Sequence, residues 1–111
     1  MRNYEMRPRG LGKGGGHCFV CGRIVSVGQD FASFVPSKET GEAIIRLFDA
    51  VGCSAYMDYR LSEPEWIQIK ICGCDKHETH VQHLYNLVAA DNTLTADKLV
   101  AALYLRNDVI R

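Results

Sequence analysis

Two short motifs with metal-ligand spacing, Cys18-Phe19-Val20-Cys21-Gly22 and Cys74-Asp75-Lys76-His77, constrain this chain more than any other feature. In the first, two intervening residues let both sulfurs turn towards one point, and Gly22 can take the positive φ that a tight turn needs after the second thiol. In the second, positions i and i+3 in a first helical turn share a face, so sulfur and imidazole can converge. Residues 22–73 separate the pairs. Together they offer three thiolates and one nitrogen, a complete tetrahedral shell for zinc.

Other readings of the same residues are weaker. A redox Cys-x-x-Cys opens a helix, where the dipole lowers a thiol pKa; here Ile24, Val25 and Val27 follow Cys21 and favour strand. Cysteines as mere small apolar residues leave the spacing unexplained. Cys72 precedes Cys74 by two and can complete an all-sulfur site, although the strand pattern points it with Gln68 and Lys70. His80, one helical turn beyond His77, can replace that histidine. His83 reads as solvent-facing, and His17 as packed beside the knuckle. Cys74 and His77 are the favoured second pair. A catalytic zinc keeps an open position for water. Four good donors close this one, and no glutamate stands beside them as in hydrolytic zinc motifs, so the ion reads as structural and the chain as lacking a catalytic constellation.

Charge is unevenly spread. The chain is formally neutral, yet residues 1–24 carry Arg2, Arg7, Arg9, Lys13 and Arg23 against Glu5 alone. Apolar residues make up 47% and charged residues 23%, which predicts one packed domain rather than disorder. No apolar run reaches the length of a membrane span. No apolar stretch follows the first basic residues, so a secretory signal is not expected. With five cysteines, an odd number, this favours a reducing compartment, the cytoplasm, and metal over disulfides.

Residues 1–16 end in Gly10-Leu11-Gly12-Lys13-Gly14-Gly15-Gly16 and read as a flexible basic arm. They lack the Gly-Lys-Ser/Thr ending of a phosphate loop. Residues 17–111 read as a single zinc-stabilised α+β domain with hairpins and about three helices. Arg23–Val27 and Phe31–Val35 are short strands about a turn at residues 28–30. Ser37 can cap a helix carrying Ala43, Ile44, Leu47, Phe48 and Val51, ended by Gly52. Ala55, Met57, Tyr59 and Leu61 alternate with polar neighbours, and Ile67, Ile69 and Ile71 give the clearest period of two. These two strands predict a hairpin turning at residues 62–65. A helix over about 75–90 follows, with Val81, Leu84, Leu87 and Val88 inward. Thr95 can cap a last helix, with Leu99, Val100 and Leu103 inward.

A knuckle leading into a hairpin, then a ligand pair at the start of a helix, resembles the treble-clef class of zinc fingers. The resemblance rests on Cys18, Cys21, Gly22, Cys74, His77 and the helix after them, about a quarter of the chain. It implies metal binding, and by class a role in nucleic-acid binding, protein interaction or nuclease chemistry. Two departures stand out: the gap between the pairs is long, and it holds a helix around residues 38–50. The nuclease members need a histidine between the ligand pairs, and residues 22–73 contain none. Tyr59-Arg60 and Glu63-Pro64-Glu65-Trp66-Ile67-Gln68 are similar to a stretch in small uncharacterised prokaryotic proteins, which implies no function.

Three roles compete. In a nucleic-acid-binding module, Arg2, Arg7, Arg9, Lys13 and Arg23 contact phosphates and Trp66, Tyr56 or Phe19 stack on bases. In a protein-interaction or homodimerising module, Leu103, Tyr104, Leu105, Val109, Ile110 and the hairpin edge supply the contact. An enzyme using Cys53 with a histidine, or Asp58 with Arg60, is the weakest reading.

Overall fold

The computed structural model describes residues 4–13, 15–25, 30–58 and 66–105. Among these the chain is α+β, with three helices and small antiparallel sheets. In order the elements are β1 (Tyr4–Glu5), β2 (Arg7–Lys13), β3 (Gly16–His17), β4 (Ile24–Val25), β5 (Asp30–Val35), α1 (Lys38–Val51), β6 (Tyr56–Asp58), β7 (Gln68–Cys72), α2 (Glu78–Ala89), β8 (Thr93–Leu94) and α3 (Ala96–Leu103). No helix among the described residues is long and apolar enough to cross a membrane.

The main sheet is antiparallel with strand order β2-β5-β7-β6. Directly opposed residues share a face, so Ala32 with Ile71 and Phe34 with Ile69 form one side. All four are fully buried there, together with Ile44 and Phe48 of α1, Val81, Leu84 and Val88 of α2, and Leu99 and Ala102 of α3. The alternation over 67–71 therefore marks the core face, and all three helices contribute to the same core. Each helix starts and stops as its ends dictate. Ser37 Oγ accepts from Thr40 N at 3.3 Å, and Thr95 Oγ1 accepts from Lys98 N at 3.1 Å. Gly52 closes α1 with φ 85°.

The amino-terminal segment departs from its composition. Residues 4–13, read as part of a mobile arm, form two strands. β1 pairs with β8, placing Tyr4 opposite Leu94, and Met6 N donates to Asn92 O at 2.9 Å, with the Met6 side chain 1% exposed. β2 is the edge of the main sheet, where proline is tolerated, and it bulges between Pro8 and Gly10. Gly12 is accommodated by packing: a Cβ there would lie 2.7 Å from the Phe31 ring, which occupies that space.

Other expectations are redrawn. Among the described residues β4 pairs with β3 rather than with β5, and Asp30, expected in the turn, opens β5. β6 and β7 pair antiparallel as the alternation predicts; their turn at residues 62–65 lies outside the described residues, as do Val27, Tyr59, Leu61, Val109 and Ile110. Phe19 is fully buried, its ring centroid 6.5 Å from that of Phe48, and so is core rather than a stacking platform. Val100 points outward, 42% exposed. Ala102 takes the inward position instead.

Candidate metal centre

The knuckle is set by main-chain hydrogen bonds. Cys18 N donates to Arg23 O at 2.8 Å and Gly22 N to Cys18 O at 2.9 Å, with Gly22 at φ 75° as its position after the second thiol requires. The turn docks on the end of β7: Phe19 N donates to Cys72 O at 2.9 Å, and Cys18 bridges Cys72 in parallel register. Two residues further on, the chain reaches Cys74. Gly73 allows this path, because a Cβ there would strike the Val81 side chain and lie 2.8 Å from His77 O. Cys74 and His77 belong to a turn closed by His77 N donating to Cys74 O at 2.9 Å. The helix begins only at Glu78, with His77 as its cap residue. The ligand pair therefore precedes the helix and does not occupy its first turn.

These two turns bring Cys18, Cys21, Cys74 and His77 together, with one donor atom of each within 4.8 Å of the others. Cys18 Sγ lies 3.4 Å and Cys74 Sγ 3.1 Å from His77 Nδ1, and Cys21 Sγ lies 3.9 Å from Cys74 Sγ. The cluster can hold a metal ion. Cys18 and Cys74 are buried, His77 is half-buried and Cys21 is exposed, so the centre sits just under the surface.

Its electrostatics suit a cation. A backbone hydrogen bond from Arg23 lowers the Cys21 thiol pKa, while burial raises that of Cys74 with the neighbouring thiols adding to it. Thiols crowded this way need a positive charge among them before all can ionise. Burial, with the Arg23 and Lys76 cations, lowers the His77 pKa, leaving the neutral imidazole that a metal requires. Arg23, read from sequence as a phosphate contact, is exposed and acts electrostatically on both Cys21 and His77.

The alternative ligands fall outside the cluster. Cys72 is buried, 3% exposed, with Sγ 3.7 Å from Gly15 O, and burial raises its pKa. His80 is 5% exposed and sets its ring edge-on to His77 at 4.8 Å between centroids, with Nδ1 unpartnered among the described residues. His17 is exposed on β3 and His83 half-buried on α2. Of the basic residues, Arg7 and Arg9 are exposed on β2, Lys13 ends that strand opposite Asp30, and Arg2 lies outside the described residues. Two contacts escaped the sequence reading: Arg7 sits over the Trp66 ring at 5.5 Å, and Lys70 over the Phe31 ring at 5.1 Å. Only the strand register could have disclosed them, since each joins residues far apart in the chain.

No protein-family model, no curated protein and no solved structure matches this chain.

Proposed function

We propose that Cys18, Cys21, Cys74 and His77 hold one structural zinc ion of treble-clef type, and that the domain it clasps is a non-catalytic nucleic-acid-binding module of a reducing compartment, the cytoplasm. The observation carrying the zinc assignment is the donor geometry. A tetrahedron with zinc–sulfur and zinc–nitrogen bonds of ordinary length has edges of about 3.6–3.8 Å; the contacts of 3.1, 3.4 and 3.9 Å lie around that value and all four donors lie within 4.8 Å of one another, so small side-chain movements close the shell. Three thiolates with one imidazole favour zinc over the harder divalent ions. The same four donors leave no position for a reactive water, which supports a structural ion.

The nucleic-acid reading is supported by exposed Arg7, Arg9 and Arg23 within residues 1–24, which carry the basic excess. Phosphate contact by such side chains is salt-dependent. Mass spectrometry of the native protein is expected to find one zinc per chain; iron in its place, or no metal, refutes the zinc assignment. Binding to single- and double-stranded oligonucleotides at low salt tests the module, and absence of binding to both removes it.

A protein-interaction role is the second reading. Val100 and Tyr104 lie four residues apart on the α3 side, 42% and 75% exposed, and offer an apolar strip for another protein or a second copy. Light scattering at high micromolar concentration tests self-association. A monomer counts against the homodimer.

A further inference from the structure

The helices contribute their buried residues to one face of the main sheet, while on the opposite face Phe31, Val35, Gln68 and Lys70 are half-buried and Ser33 is buried. Register places Phe31, Ser33 and Val35 of β5 there with Lys70 of β7. Gln68 shares the side and donates from Nε2 to Ser33 Oγ at 2.5 Å. Two concavities open on this face. One of about 280 Å³ is lined by Trp66, Arg7, Glu5, Ser37 and Thr40, with the core residue Met6 at its wall. The other, of about 190 Å³, is lined by Phe31, Arg9, Ser33 and Gln68. Each combines one aromatic ring, one arginine and hydrogen-bonding groups, and the first also carries the Glu5 carboxylate. Lys70 adds a third cation, over Phe31.

We infer that this face binds single-stranded nucleic acid, with one base stacked on Trp66, another on Phe31, and Arg7, Arg9 and Lys70 on the intervening phosphates. The inference rests on the nucleic-acid reading above and names its form. A flat ring with a cation is the chemistry of a base and its phosphate, and open antiparallel sheets carrying such rings are stacking platforms. A duplex keeps its base faces hidden and cannot enter either cleft. Phe31 is registered opposite Cys72 and Trp66 opposite Ser37, six positions apart along β5 and its extension. At strand rise this is about 20 Å, enough for a footprint of about four nucleotides. The cations lie over half-buried rings, Arg7 itself exposed and Lys70 half-buried, and a base can displace each from its ring while the cation moves to the phosphate. Three neutralised phosphates give a slope of log affinity against log salt near about −2.

The chain has one tryptophan, so Trp66 reports its own occupancy. The full chain, purified with its native metal, is titrated at low salt with oligothymidylate, oligouridylate and a duplex of equal length, about a dozen nucleotides each. Quenching by either single strand, with weaker binding and little quenching by duplex, is the expected result. The ratio of the two single-strand dissociation constants tells DNA from RNA. Phe31→Leu is expected to weaken single-strand binding by about 5- to 30-fold. Lys70→Gln, a surface change that leaves the core untouched, is expected to weaken it several-fold and to flatten the salt slope by about 0.7. Tight duplex binding without quenching overturns the inference and leaves the module standing. So does single-strand binding indifferent to both variants. Failure of every oligonucleotide to bind removes the module as well.

Discussion

Cys21 Sγ lies 3.9 Å from Cys74 Sγ, although 53 positions separate the two residues in the chain. The contact does not depend on the thiols alone. The bridge between Cys18 and Cys72, and the hydrogen bond from Phe19 N to Cys72 O, already hold the knuckle against the end of β7. The four clustered donors are thus presented by two turns that the backbone has placed side by side, and a bound ion would join them through coordinate bonds.

The choice among candidate ligands gives the first prediction. Cys74→Ser and His77→Ala each remove a donor from the cluster and are expected to lower metal content well below one ion per chain. Cys72→Ser and His80→Ala leave the four donors in place and are expected to keep full stoichiometry with saturating metal. Elemental analysis after gel filtration checks this. Loss of metal in Cys72→Ser with retention in Cys74→Ser would reassign the third sulfur.

Metal removal is expected to act locally. Cys18, Val25, Cys72 and Cys74 form a buried cluster distinct from the main core. Chelation at neutral pH is therefore expected to raise amide hydrogen exchange over residues 15–25 while β5, β7 and α2 keep their protection. Peptide-resolved exchange by mass spectrometry reads both regions at once. Equal loss of protection in the two would show that the ion is needed for the whole fold.

Alkaline pH tests the environment of Cys53. Burial, with the Asp49 carboxylate adding to it, pushes this thiol from 9.0 to about 11. The unfolded chain ionises first, so the native state holds more protons between those values and loses stability as pH rises through them. Below pH 9 the contribution is complete. Wild type is expected to fall relative to Cys53→Ala by about 1–2 kcal/mol between pH 9 and 11, solvent screening included, measured by urea unfolding. Parallel curves for the two proteins would contradict it.

Gly41 lies inside α1, where glycine ordinarily costs about 1 kcal/mol relative to alanine. Here the added methyl would strike Ile67 Cδ1 and lie 2.8 Å from Ile67 Cγ1 and 3.3 Å from Pro36 Cγ. Ile67 is 1% exposed and packed within the core. Overpacking of this kind costs about 1–3 kcal/mol, which outweighs the helix gain. Gly41→Ala is expected to lower stability by about 1 kcal/mol and the thermal midpoint by several degrees. A stabilised variant would show that the helix can shift away from Ile67.

The sequence alone determined what depends on neighbours within a few residues. Spacing identified the four clustered donors, because each pair sits in a single turn whose geometry two intervening residues specify. Ser37, Gly52 and Thr95 marked helix ends through main-chain groups next to them, and Ile67, Ile69 and Ile71 declared a strand with one buried side. Tertiary structure decided everything that needed a partner distant in the chain. The glycines and proline of β2 signal flexibility when read locally, yet pairing with β5 and the Phe31 ring above Gly12 make that segment a strand. Whether Cys72 or Cys74 faces the ligand cluster turned on where β7 ends against the knuckle. Phe19 went to the core and Val100 to solvent because packing, not periodicity, selects the face. The cations over Trp66 and Phe31 arose from strand register, a long-range property that no local pattern encodes.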